Sequence, residues 1–254
     1  MKFTFMADPH NPKAMRDLMA CVKRYGQVDL AKADVLVIIS GDGGVIRGFQ
    51  ALLNYRIPVF GLKAGHVGAL LNEYSLDNLP DRVEQADEVQ VVPLQFSVRT
   101  EAPKPVKGYA YNDVVVLRDS PQAARLHVVV QEANRRSRPF LEQTFLGDGL
   151  VVPTNIGSSG YFAAAGGRQM PGDMISMQSI CSKSDFHAVV ASDSKIYVRP
   201  LEATYGKSKS PKRPVCAEWD GQQRVSGVRS VTIQQAPNKM ITLLKERKLD
   251  AVKG

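Results

Sequence analysis

An apolar run, Val35-Leu36-Val37-Ile38-Ile39, ends abruptly at Ser40-Gly41-Asp42-Gly43-Gly44, and an amphipathic pattern follows it. Val45, Ile46, Phe49, Leu52 and Leu53 recur at the spacing of one helical face, so the stretch predicts a buried strand opening into a helix. Glycines in such a turn bring backbone N–H groups close to an anion at the helix start, which is how phosphates are commonly held. The acid is the unusual part. A carboxylate beside phosphates is repulsive unless it takes a proton from an attacking hydroxyl or holds a metal. Asp42 in this turn therefore points to phosphoryl transfer rather than to passive anion binding.

The first third of the chain repeats the same unit. Phe3–Met6 reads as a short strand, Asn11-Pro12 as an N-cap followed by an N1 proline, and Gly26 as a helix stop. Met15, Leu18, Met19 and Val22 supply the apolar face between them. A third strand over Ile57–Gly61 leaves through another glycine-rich turn, Gly61 to Gly68. Strand–helix–strand repetition predicts a parallel sheet packed by helices, with ligands outside the carboxyl ends of its strands, where both turns fall.

Past residue 88 the pattern changes to short β-rich runs: Val89–Arg99, Gly108–Leu117, Leu126–Gln131, Phe140–Leu146, Lys195–Arg199, Val215–Trp219 and Val231–Gln234. One short helix is expected at Gly160–Ala165, and Met240–Lys253 is read as a closing helix that packs back on the first domain. The expected architecture is an α/β N-terminal domain with a parallel sheet over 1–88, completed by 238–254, and a mainly antiparallel β-rich domain over 89–237.

Composition narrows the partners. No run of 18 apolar residues exists, which excludes a helical membrane span, and the opening MKFTFMADPH lacks the apolar core of a secretion signal, which argues for the cytoplasm. Cys21, Cys181 and Cys216 are scattered and, with four histidines, form neither a disulfide framework nor zinc spacing, so no protein-built metal site is expected. The 33 basic and 25 acidic residues leave a net charge of +8. The excess lies partly in Arg135-Arg136-Ser137-Arg138, Lys207–Arg213 and Lys245–Lys248. No aromatic RNA-binding motif or zinc finger accompanies these clusters, so they read as solvated turns rather than a nucleic-acid surface, with Lys207–Arg213 as a hairpin loop.

Three further stretches are ordinary one by one. Tyr111-Asn112-Asp113 stands at the mouth of a strand, where the amide and carboxylate suit a diol such as a ribose. Gly147-Asp148-Gly149-Leu150 leads to Thr154 and Gly157-Ser158-Ser159-Gly160-Tyr161, where small hydroxyl residues precede a helix and Tyr161 offers an aromatic face. Asp220-Gly221 is first of all a hairpin turn.

Taken in order with GDGG and with GLKAGHVGALLNE (Gly61–Glu73), these stretches resemble the NAD kinases of the ATP-NAD kinase group, in particular the short bacterial members. That family's pattern runs roughly GGDGT, G-x-N-x-G-x-L-G-F-L, NE, DGL-x-x-S-T-P-T-G-S-T-A-Y and a late DG, and the resemblance extends over about 1–245. It implies an NAD kinase fold with the dinucleotide between two domains, and transfer of the γ-phosphoryl of ATP to the adenosine ribose 2′-hydroxyl of NAD⁺. On this resemblance Asp42 activates the hydroxyl and Gly41, Gly43 and Gly44 cradle donor phosphates. Asn112 and Asp113 contact the NAD⁺ ribose and nicotinamide side, Ser159, Gly160 and Tyr161 line the adenine pocket, and Asp148 and Asp220 are the acids of the two DG motifs. Mg²⁺ accompanies ATP, and the family implies a homo-oligomer, a dimer or a tetramer.

The chain also departs from the pattern. Gly44 stands for Thr, Lys63 for Asn, Ala69 for Phe, Asp113 for Glu and Ile156 for Thr. These departures keep a second reading open, a catalytically weakened relative that binds or senses an adenine (di)nucleotide. A third, a kinase of a lipid or sphingoid alcohol, is opposed by YND and GSSGY. The donor (ATP or polyphosphate) and the choice between NAD⁺ and NADH are left open.

Overall fold

The computed structural model describes residues 1–65, 68–133, 139–168, 174–205, 208–221 and 223–247. The basic cluster 135–138 lies outside the described residues, as do His66, Gln222 and the chain end.

In chain order the first elements are β1 (Phe3–Ala7), α1 (Pro12–Tyr25), β2 (Val35–Ser40), α2 (Asp42–Ala51), β3 (Val59–Lys63), α3 (Leu79–Glu84) and β4 (Asp87–Val91). Strands β5 (Leu94–Arg99), β6 (Val106–Ala110), β7 (Asp113–Arg118), β8 (Ala124–Gln131), β9 (Leu141–Gly147) and β10 (Gly149–Pro153) follow. After a 3₁₀ turn at Ile156–Ser159 and the one-turn helix α4 (Tyr161–Ala164) come β11 (Met174–Ile180), β12 (His187–Ala191) and β13 (Lys195–Pro200). The chain finishes with β14 (Glu202–Tyr205), β15 (Ser208–Lys212), β16 (Val215–Trp219), β17 (Gln223–Val225), β18 (Ser230–Gln235) and β19 (Ile241–Lys245).

The elements form two units, 1–91 with 239–254, and 92–238. In the first, the sheet order is β1-β2-β3-β19-β4, parallel except for β4. All six residues of β2 are buried, because both faces of the strand are covered. Val35, Val37 and Ile39 pack with Phe3, Phe5, Ala14, Cys21, Leu79 and Val83, on the side of α1 and α3. Leu36 and Ile38 meet α2, where a side chain at Gly48 would strike Ile38 Cδ1. Local chemistry starts and stops α1: Asn11 accepts the N–H groups of Lys13 and Ala14, and Gly26 takes φ +78°.

Several expectations need correction. The described part of the expected closing helix, Met240–Arg247, is not helical, and 248–253 lie outside the described residues; Ile241–Lys245 is β19, inserted between β3 and β4. Without it the edge of β3 would leave backbone groups unpaired, and that demand overrides a sequence that suits either period. Neither Val89–Arg99 nor Gly108–Leu117 is one run: the chain leaves β4 in one sheet and enters β5 in another at Val92-Pro93, and leaves β6 and enters β7 in another at Tyr111-Asn112.

The second unit is a sandwich of two antiparallel six-stranded sheets, ordered β12-β11-β10-β7-β16-β17 and β6-β5-β18-β13-β8-β9. Its core interleaves Val114, Val116, Leu150, Val152 and Met177 of the first sheet with Phe96, Leu126, Val128, Val198 and Ile233 of the second. The ring of Phe96 lies 4.5 Å from that of Trp219. On the outer face of the first sheet, Phe162 of α4 is fully buried against Val115, Val151 and Ile180. Lys207–Arg213, read as a hairpin loop, is instead mostly strand: Ser208–Lys212 is β15, paired antiparallel with β14, because backbone pairing with Glu202–Tyr205 takes up residues whose charge suggested a solvated turn; residues 206–207 lie outside the described set.

Candidate active site

The glycine turn of the first unit is tighter than its sequence suggests. Gly41 is the N-cap and Asp42 already the first helical residue of α2, so the helix starts on the acid itself. Helical geometry leaves the N–H groups of Asp42 and Gly43 without an intrahelical acceptor, whereas Gly44 N–H is bound to Gly41 O at 2.9 Å. The Asp42 carboxylate is held across the turn: Oδ2 accepts the N–H of Ala69 at 2.9 Å and Oδ1 that of Leu70 at 3.0 Å. The loop after β3 therefore meets Asp42 through its backbone, whichever side chain stands at 69.

That loop is itself clamped. Asn72 is buried and ties Leu244 O and the N–H of Glu246 to its side chain, while Lys245 Nζ donates to Ala69 O and Leu71 O. Lys63, at the end of β3, is paired with Glu73, whose carboxyl is held below its usual range by that lysine. None of these supports had a local signal beyond the LLNE string.

Gly44 has a specific partner. A Cβ on residue 44 would lie 2.3 Å from Ser40 Oγ and 2.4 Å from Ser40 Cβ. Ser40, where the family pattern has glycine, fills the space that a side chain at 44 would need, and its Oγ donates to Gly41 O at 2.8 Å. Gly44→Thr alone should lower stability by about 1–3 kcal/mol through overpacking, and adding Ser40→Gly should restore it; thermal unfolding of both variants checks this.

In the second unit three separated stretches converge. Asp220, at φ +55° in the turn between β16 and β17, accepts the N–H groups of Tyr111 at 3.2 Å and Asn112 at 2.7 Å. Its own N–H donates to Asp113 O at 3.2 Å. From the other side, Thr154 Oγ donates toward Tyr111 O at 2.8 Å and Asn112 O at 3.0 Å, and accepts Gly157 N–H at 3.1 Å. Thr154 thus pins the crossover between the two sheets, a role its motif did not announce.

Asn112 presents its amide beside Asp113, with Nδ2 donating to Asp113 Oδ2 at 3.0 Å. Asp113 is buried, and burial, with the charges of Asp220 and then Glu218, pushes its pKa up to about 7. The protonated form is thus favoured by folding. Its stabilising contribution is complete below the ordinary carboxylate pKa and is lost as pH rises from about 4 to 7. Asp113→Asn should flatten the decline in stability across that window, read from denaturant unfolding at pH 5 and pH 8. An unchanged slope would remove Asp113 as its source.

The remaining expected residues are placed unevenly. Ser158 and Ser159 turn their hydroxyls back to Asn155 O and Ile156 O, and α4 is a single turn. Gly160 is exposed, and Tyr161, at 43% exposure, leaves much of its ring open. Asp148 stands apart from the cluster at the opposite end of β10, bound to Arg118 Nε at 2.6 Å.

A carboxylate anchored at the first turn of a helix, beside backbone N–H groups with no helical partner, suits a phosphotransferase. The family model of the ATP-NAD kinase C-terminal domain matches residues 112–226. The chain is 32% identical over 240 residues to the NAD kinase of Brucella suis biovar 1 (strain 1330), covering 92% of this chain and 86% of that one. It is 31% identical over 250 residues to the NAD kinase of Xylella fastidiosa (strain Temecula1), covering 96% and 90%. Among solved structures, yeast NADH kinase complexed with NADH superposes with a TM-score of 0.80 at 16% identity, over 99% of this chain and 85% of that one. The NAD kinase from Archaeoglobus fulgidus in complex with ATP gives a TM-score of 0.69 at 21% identity, over 98% and 94%. The chain belongs to the NAD kinase family.

Proposed function

We propose that the protein transfers the γ-phosphoryl group of ATP to the 2′-hydroxyl of the adenosine ribose of NAD⁺, giving NADP⁺ and ADP. The observation that carries this reading is the Asp42 carboxylate, oriented by the N–H groups of Ala69 and Leu70 at the start of α2. In the reaction Asp42 accepts the hydroxyl proton as the ribose oxygen attacks the γ-phosphorus and the bond to ADP breaks. Gly41, Gly43 and Gly44 leave the turn open to the donor phosphates, and the N–H groups of Asp42 and Gly43 donate to them.

The acceptor is held by the second unit in this reading. Asn112 bonds a ribose or the nicotinamide amide, with Asp113 orienting the Asn112 amide from beneath. Asp220 keeps the backbone of Tyr111 and Asn112 in place. Ser159 and Gly160 line the adenine pocket, and Tyr161 stacks on the base. Asp148 contributes through its ion pair with Arg118 rather than by touching the dinucleotide.

Among the described residues no three His, Cys, Asp or Glu side chains gather as a metal cage. Mg²⁺ needs few protein ligands when phosphate oxygens complete its shell, so it enters as the MgATP substrate and neutralises phosphate charge. No helix among the described residues is long and apolar enough to cross a membrane. We place the reaction in the cytoplasm and the active form in a homo-oligomer. The test is NADP⁺ formation by purified protein given ATP, Mg²⁺ and NAD⁺; no product with ATP or with polyphosphate defeats the reading.

A further inference from the structure

Arg47 lies one turn into α2, and its guanidinium folds back over the turn that opens the helix. A Cβ on Gly43 would stand 4.0 Å from its Nη1, and one on Gly44 3.7 Å from its Nη2. These are i, i+4 and i, i+3 neighbours on one helix face. Neither carries a side chain that would hold the guanidinium away. Replacing a threonine by Gly44 therefore does more than accommodate Ser40: it clears the approach of a cation to the phosphate turn.

The cation is held loosely. Arg47 Nη2 is 3.6 Å from Asp8 Oδ2, longer than a hydrogen bond, and the Arg47 side chain is 50% exposed. Asp8 Oδ1 accepts the N–H of His10 at 3.0 Å, so Asp8 is the fixed member of the pair. Among the described residues, Lys63 is committed to Glu73 and Lys245 to the carbonyls of Ala69 and Leu71. A polyphosphate tail settling beside the Asp42 carboxylate meets like charge. The partial positive end of one helix, about half an elementary charge, does not offset it.

We propose that Arg47 is a ligand of the donor's phosphate chain, kept beside the turn by Asp8 and transferred to phosphate oxygens when the donor binds. A guanidinium suits the task because its planar fork donates two parallel hydrogen bonds to a phosphate. The proposal rests on the kinase reading and adds to it the residue that sets donor affinity.

Initial rates with varied ATP at saturating NAD⁺ test it. Arg47→Ala should raise the KM for ATP at least tenfold while the KM for NAD⁺ stays within twofold, and Arg47→Lys should recover part of the loss. Asp8→Asn should lower the KM for ATP. A second readout needs no turnover: MgATP should raise the unfolding temperature of the wild type and not of Arg47→Ala, whose unliganded Tm should stay near the wild-type value. Tripolyphosphate in place of ATP separates recognition of the phosphates alone from recognition that also requires adenosine. An unchanged KM for ATP, or equal stabilisation of wild type and Arg47→Ala, overturns the proposal. If the wild type forms no NADP⁺ at all, the kinase reading falls and the stabilisation measurement alone decides the role of Arg47.

Discussion

Asp42→Asn should reduce kcat for NADP⁺ formation by about 10²–10⁴, the range a positioned general base commonly contributes. Two effects act together. The amide cannot take the ribose proton, and its NH₂ must face one of the N–H groups of Ala69 and Leu70 that the carboxylate now accepts. Leaving one of those donors unpaired costs about 1–3 kcal/mol locally. The loop after β3 loosens while the second unit is untouched, so NAD⁺ binding by calorimetry should change little. A variant that keeps more than a tenth of wild-type kcat would remove Asp42 from the proton transfer.

Gly157→Ala should be the most damaging single methyl in the second unit's site. The added carbon would lie 1.9 Å from Asn112 O and 2.6 Å from Asn112 C, and both are backbone atoms that cannot rotate aside. Either the 3₁₀ turn lifts away or the crossover at Tyr111-Asn112 moves. Both outcomes break the bonds from Thr154 Oγ and shift the Asn112 amide. The expected result is a loss of about 3 kcal/mol of stability, the upper part of the overpacking range, together with at least a hundredfold weaker NAD⁺ binding. Ser159→Ala, two residues away, should leave stability near wild type, since its hydroxyl bonds Ile156 O at a long 3.4 Å. Normal NAD⁺ affinity in Gly157→Ala would show that the dinucleotide does not rest on this crossover.

What was readable in the sequence was what local chemistry decides. The Asn11 cap, the Gly26 stop and the full burial of β2 follow from residues within a few positions of one another. β19 was not readable, because Ile241-Thr242-Leu243-Leu244 followed by alternating charge suits a helix as well as a strand; only β3 and β4, far away in the chain, decide the matter. The site divides along the same line. The acid of the glycine turn and the Asn-Asp pair are visible as motifs, yet the bonds that orient them come from distant backbone: Ala69 and Leu70 for Asp42, Asp220 for Tyr111 and Asn112. Asp148 shows the reverse case. Its motif groups it with Thr154, but the extended strand β10 sets the two roughly 20 Å apart at ordinary strand rise.

The position of β19 also fixes an order of events in the making of this protein. Residues 92–238 form a unit of their own, interposed between the two segments that build the other. As the chain leaves the ribosome, β1 to β4 emerge first, but β3 and β4 each wait for a strand that comes last. The sandwich can close while the phosphate turn still rests on an unfinished sheet. Asn72 then takes the Leu244 carbonyl and Lys245 takes those of Ala69 and Leu71, so the final strand also sets the loop that holds Asp42. A chain released before residue 241 would carry a finished sandwich and an Asp42 loop without its clamps.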